Sequence, residues 1–576
     1  MDCSMEDTPP ENISEFQLLS NQIQDIVENL PLVNPPKAAA QLYEQMEKII
    51  NCSVSINEKV ALLAILNSTV DKIYVLLKKQ LLQVAPLLAI QKQDTIHLII
   101  QLSIRFATMY ASLLNAKNNL PDTIENNKIA KSNAIFNAMH YCLNTLVICY
   151  ELYMELPSNL WTKLHTLYRV AEKLNLLNVM INNQAGYHNI DQLYKTCLLL
   201  ATASPYQLRR RDIEALYHIV GKWADKVILD NNTNEAIYLV DLSLDSPPTF
   251  KALFPENFDK QHVKNLNTEV FIESIKHIIH QHSDETGIQE TALSKNVFDY
   301  IVRSWRGVNQ RGAERIKKNG KVNVCIGLAA THYFVSGEKY FEQLQAESTL
   351  QLQAINNQTT SHDKNTLPFE TTQEKTDPWN TVFNTENSTK KENKIQYKLY
   401  DFNFVDESSS GFCLITKEKQ IPMLQTGEIV GVHIPDAEYQ HQWRIGIIRW
   451  FKYHIQDGIS IGVEILAPNA LTVAVRVAQK DTKDIHRALL LPAIANNNRP
   501  STILLPAKEF NSQVGINVFY GQNTSHIILL DPVNINSHFY QFTYQTQATA
   551  AKKPISEFNK KHSDEQLDDI WDDLLK

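Results

Sequence analysis

The chain has 576 residues, 44% hydrophobic and 20% charged, with a formal net charge of −8. That length supports large buried cores and suggests about three or four domains. A mildly acidic chain has no overall electrostatic reason to coat a nucleic acid polymer or an anionic membrane, so any anion site must be local.

Residues 1–12 read as a loose tail. The segment Met1-Asp2-Cys3-Ser4-Met5-Glu6-Asp7 is acidic and polar, unlike a secretory signal. From 13 to 300 the pattern is helical. Lys59–Leu82, Thr95–Leu114, Ala130–Leu152 and Asn159–Leu177 carry apolar side chains at helix spacing, with Pro31, Pro35, Pro36, Pro121, Pro157 and Pro205 between the runs. In the last run Trp161, Leu164, Leu167, Tyr168, Ala171 and Leu174 mark one buried stripe. No apolar run approaches the ~20 residues of a membrane span, so no membrane insertion is expected. The richest, Leu81–Ile90, is cut by Pro86. Ala236–Leu242 reads either as a short strand or as an extended connection.

Near 301 the texture changes. Val322, Val324 and Ile326 alternate with Asn323 and Cys325, a period of two. Residues 341–394 are rich in Gln, Asn, Thr, Glu and Lys and read as a disordered insertion. Strand texture resumes from Ile395 to Val405 and continues through Gly411–Thr416, Gly427–Ile434, Trp443–His454 and Ile459–Leu466. Short strands with Gly or Pro turns argue for an antiparallel barrel over 301–467. Further candidate strands at Leu471–Ala478, Ala488–Leu491, Thr502–Leu505, Ile516–Tyr520, Ile527–Leu530 and Phe539–Tyr544 are too many to finish that barrel, so 468–546 is expected to form a second small β unit. Residues 547–576 read as a linker and an acidic amphipathic helix. Leu567, Ile570, Trp571 and Leu574 share its one apolar face, which either docks on the chain itself or folds into a partner's groove. The expected fold class is thus multidomain α + β: an N-terminal all-α helical domain, an antiparallel β-barrel and an accessory β unit.

Seven cysteines lie scattered from Cys3 to Cys413 without a C-x-x-C pair, which reads as reduced thiols of a cytoplasmic protein. No G-x-S-x-G, P-loop or dinucleotide fingerprint is present, so an enzyme is not expected. His277, His280 and His282 lack the partners of a zinc site, and no metal or cofactor is expected. Arg209-Arg210-Arg211 precedes a helix without flanking aromatics, which reads as a solvated helix start rather than an RNA platform.

Two stretches carry chemistry. Arg311-Gly312-Ala313-Glu314-Arg315 places two guanidinium forks four residues apart, with Lys317 and Lys318 beside them. Asp406-Glu407-Ser408-Ser409-Ser410-Gly411 reads as a tight connection between strands. An arginine grips phosphates and the O6 and N7 edge of a guanine. An aspartate accepts the N–H groups of a guanine's Watson–Crick edge, a serine hydroxyl adds a small contact, and a glycine admits close backbone approach or positive φ. The set suits a ligand that is both guanine and phosphate. R-x-x-x-R alone is common on solvated helices, and the loop alone could be an ordinary Asx turn. D-x-S-x-x-G is more telling in a chain where only 16 residues are Gly.

Together, R-x-x-x-R followed by D-x-S-x-x-G resembles the signature of the PilZ domain, a bacterial β-barrel family that binds cyclic di-GMP. The resemblance covers 301–341 and 395–467. It implies that Arg311 and Arg315 grip the dinucleotide's phosphates and guanines, that Asp406 and Ser408 contact a guanine edge, and that Gly411 closes the turn. It implies a cytoplasmic receptor that passes the signal to a protein partner. The other reading is a scaffold whose barrel no longer binds ligand, and an RNA-binding helical protein is a remoter one.

Overall fold

The computed structural model describes residues 14–546 except 84–91, 115–123, 183–185, 233–235, 255–259, 283–292, 309–314, 344–395, 409, 419–420, 436–441, 455–456, 479–483, 495–498, 509 and 522. The chain divides into two compact units.

The first unit holds residues up to 314, together with 419–422 and 450–460. Its helices Glu15–Glu28, Pro35–Asn51, Ile56–Leu82, Gln93–Ser112, Ile124–Glu151, Leu160–Lys173, Ile190–Thr202 and Arg210–Trp223 follow the sequence periodicity. Ser14 and Ser55 each close a capping box, with Gln17 and Glu58 at the third helical position, so the starts of the first and third helices are written locally. Of the expected stripe, Trp161, Leu164, Leu167, Tyr168 and Ala171 are buried, whereas Leu174, which caps the helix Leu160–Lys173, is 41% exposed.

Three features differ from the sequence reading. The helix Asn57–Leu82 is long and apolar enough to cross a membrane by length and composition. Its Leu62, Leu63, Leu66, Val70, Ile73, Leu77 and Leu81 are buried against the rest of the unit. The range read as purely helical also carries a four-stranded sheet, ordered β1-β4-β2-β3. Its strands are β1 (Ile228–Asp230), β2 (Tyr238–Asp241), β3 (Thr249–Phe250) and β4 (Val263–Asn267). Within the segment Ala236–Leu242, read as strand or extended connection, Tyr238–Asp241 is strand, and these strands are too short to show a period. Arg210 is not solvated: its Nε donates to Glu151 O at 3.1 Å and its Nη1 to Leu82 O at 3.1 Å. Beneath it Lys78 pairs at 2.9 Å with Glu151, whose side chain is fully buried.

The second unit holds two barrels. The first uses β5 (Ile316–Lys317), β6 (Lys321–Ile326), β7 (Tyr400–Ser408), β8 (Gly411–Thr416), β9 (Ile429–His433), β10 (Trp443–His454) and β11 (Gly458–Ala467). Their order is β5-β7-β6-β9-β10-β11-β8, and a β7–β8 pairing closes the ring. β5 and β6 lie in line along one edge of β7: Ile316 and Lys317 face Glu407 and Asp406, while Lys321 to Val324 face Asn403 to Tyr400. They act as one bent strand, kinked at Gly320. The helix Leu328–Val335 follows β6 and packs its Leu328 on the core.

The second barrel is closed in the order β12-β13-β14-β17-β16-β15. Its strands are β12 (Leu471–Val477), β13 (His486–Leu491), β14 (Thr502–Pro506), β15 (Gly515–Tyr520), β16 (Asn523–Ile535) and β17 (Phe539–Thr546). All six candidate strands are present. One apolar cluster is common to both barrels and joins Ile429, Ile445, Ile447 and Leu466 with Leu489, Leu491, Leu504 and Phe539. His332, on the intervening helix, reaches Val473 O of β12 at 3.3 Å from its Nε2. Phe341, read as insertion, is buried against Ala474 and Phe519.

Candidate functional site

Tyr400, Phe402 and Phe404 alternate inward along β7 and are buried. Strict alternation would turn Asp406 and Ser408 inward as well, because a strand's period is two. It does not, because the β7–β8 register shifts between Phe404 and Asp406: Phe404 faces Leu414, but Asp406 faces Cys413. Val405 is the extra residue. The bulge exchanges the faces, so Asp406 and Ser408 share the outer face and Glu407, opposite the buried Phe412, takes the inner one. Asp406, Glu407 and Ser408 thus belong to β7 itself, which corrects the expectation of a connection starting at Asp406.

Across the sheet edge, Arg315 stands just before β5. Its Nη1 donates to Asp406 Oδ1 at 2.5 Å although the two are 91 positions apart, and both side chains keep about a quarter of their exposure (26% and 21%). The structure therefore brings together Arg315 and Asp406. Arg311 and the apolar face of Leu567, Ile570, Trp571 and Leu574 lie outside the described residues, as does nearly all of the expected insertion. Ser408 Oγ donates to Gly411 O at 3.3 Å and so helps close the hairpin.

Gly411 has its own physical reason. Its φ is not in the left-handed region. A Cβ there would stand 2.2 Å from Val463 O, and Ile465 N donates to the neighbouring Ser410 O at 3.0 Å. The glycine is there because β11 passes against it, not to turn the chain.

Sequence reasoning missed the charges on the inner face. Lys318 Nζ donates to Glu407 Oε2 at 2.5 Å, and Arg444 Nη1 donates to Oε1 at 3.2 Å. Lys318 also sits over the Phe404 ring at 4.6 Å and Arg444 over Phe412 at 5.4 Å. Lys318 was visible beside the arginines, but Arg444 has no spacing signal because the fold alone brings β10 to this corner. Among the described residues no cluster of His, Cys, Asp or Glu could hold a metal.

A closed antiparallel barrel whose leading strand brings an arginine onto the aspartate of D-x-S-x-x-G is a PilZ domain. Three family models match the chain in succession: the N-terminal domain of the cyclic-di-GMP receptor FimW over residues 21–234, its middle PilZ domain over 237–471 and its C-terminal beta-barrel domain over 473–547. The chain belongs to this FimW family. A curated relative, the cyclic-di-GMP receptor FimW of Pseudomonas aeruginosa, is 24% identical over 98% of this chain and 97% of its own length. No solved structure matches the chain.

Proposed function

We propose that the chain is a receptor for cyclic di-GMP, bound on the outer face of the first barrel, and not an enzyme. The observation that carries this reading is the pairing of Arg315 with Asp406, which makes one surface from the two halves of the signature. In this reading Arg311 and Arg315 take phosphates and guanine acceptor edges, Asp406 accepts the N–H groups of a guanine, and Ser408 adds a hydroxyl contact. Gly411 supports the site by letting β11 pass. The carboxylate that holds Arg315 between ligands is the one that receives guanine donors, so Asp406 has a partner in both situations.

We further read the chain as cytoplasmic and as acting through a protein partner. Cys52, Cys142, Cys149, Cys197 and Cys325 are thiols outside any disulfide, which supports a reducing compartment. The apolar face of Leu567, Ile570, Trp571 and Leu574 remains our candidate for partner docking.

Isothermal titration of the full chain with cyclic di-GMP is the test. We expect binding by the wild type and its loss in Arg315→Ala and Asp406→Ala. A wild type that takes up no dinucleotide, or variants that bind equally well, would refute the receptor reading and leave the scaffold reading in its place.

A further inference from the structure

Glu407 lies between the two signature residues Asp406 and Ser408 but faces the other way. Each of its carboxylate oxygens holds a different cation: Lys318 on Oε2 and Arg444 on Oε1. Each cation in turn covers a ring, Phe404 or Phe412, and the two rings meet edge-on at 5.3 Å. Lys318 follows β5, the strand that begins beside Arg315. Arg444 belongs to β10, in the wall of the barrel. Glu407 is therefore the tie between the arginine-bearing segment and the barrel.

That tie matters because the backbone holds β5 lightly: beyond its short ladder, Lys318 N donates to Val405 O at a long 3.4 Å before β6 takes up the pairing. Its ladder with β7 spans two residues, and Ile316 is 73% exposed. A segment with few buried contacts and a short ladder opens readily. Opening removes Arg315 from Asp406, and a ligand's apparent affinity falls by the fraction of time the site is assembled.

We propose that Glu407 is a positioning residue for cyclic di-GMP: through Lys318 and Arg444 it keeps β5, and with it the preceding Arg315, in register beside Asp406. This rests on the receptor reading above. Glu407 touches no ligand in this scheme and acts through Lys318.

The test is a double-mutant cycle on the full chain, titrated with cyclic di-GMP: wild type, Glu407→Gln, Lys318→Met and the pair together. We expect each single variant to bind about tenfold more weakly, with the double variant no weaker than either, since both break one tie. Glu407→Asp, which keeps the charge, should recover part of the affinity. Thermal melting accompanies each titration. Should Glu407→Gln fold poorly, Lys318→Met carries the comparison, because Lys318 lies at the surface with 37% of its side chain exposed. Wild-type affinity in a folded Glu407→Gln or Lys318→Met, or losses that simply add in the double variant, would overturn the inference while leaving the receptor reading intact. A wild type that does not bind would overturn both.

Discussion

Replacing Gly411 by alanine tests whether the signature glycine serves close approach rather than turning. The added Cβ would meet Val463 O at 2.2 Å, and the obstacle is backbone, which no rotamer change relieves. β11 would have to retreat by about 1 Å to restore an ordinary contact. That displacement strains the hydrogen bond from Ile465 N to Ser410 O and the closure of the barrel. Overpacking of this kind costs about 1–3 kcal/mol. For a unit of about 250 residues this lowers the melting temperature by roughly 2–12 °C. Thermal unfolding followed by circular dichroism gives the measurement. Gly337 supplies the control, for its φ is +75° and a Cβ there meets nothing within 4 Å. Asparagine tolerates the left-handed region, so Gly337→Asn should melt close to wild type while Gly411→Asn should not. Equal melting of Gly411→Ala and wild type, or equal damage at both positions, would refute the close-approach argument.

Other outcomes follow from the same geometry. Arg315→Ala and Asp406→Ala should each change unfolding free energy in urea by about 0–1 kcal/mol only, since the pair is partly exposed, even where dinucleotide binding is lost. Lys78→Met should destabilise the helical unit by about 3 kcal/mol because it removes the cation paired with the buried Glu151 carboxylate and leaves only the Arg210 charge nearby, whereas adding Glu151→Leu should recover much of that in the same denaturation assay. Burial pushes the His332 imidazole from 6.5 down to about 4. The unfolded chain then binds the extra proton between those values, so stability is full above pH 6.5 and declines as pH falls toward 4, by roughly 3 kcal/mol in all. His332→Gln should flatten that acid limb of the melting profile. A limb unchanged by the substitution would assign it to other groups.

The sequence made some of this legible and withheld the rest for physical reasons. The six strands of the second barrel are visible because each is a run of alternating or continuous apolar residues ended by turn chemistry. The meeting of Arg315 with Asp406 was readable only as a motif, since no local pattern spans the positions between them. The outward aim of Asp406 could not be read at all: Tyr400, Phe402 and Phe404 set a period that points it inward, and Val405 shows itself as an extra residue only when β8 lies beside it. Glu407 and Arg444 escaped notice for a related reason, as charge pairing across a closed ring leaves no trace in spacing. Of the small sheet only β2 shows in the sequence, as one of two readings of Ala236–Leu242, because strands of two to five residues carry no period.

The β6–β7 pairing has one more consequence, for how this chain can vary in length. Val324 lies opposite Tyr400, so the chain that departs after β6 is back beside it when β7 begins. Tyr333 and Tyr340 on the departing side hold Tyr397 on the returning side, with ring centroids 5.0 and 6.3 Å away. The three tyrosines form a clasp at the neck of everything between. The neck thereby sets the register of β6 on β7 whatever the number of residues between its two sides.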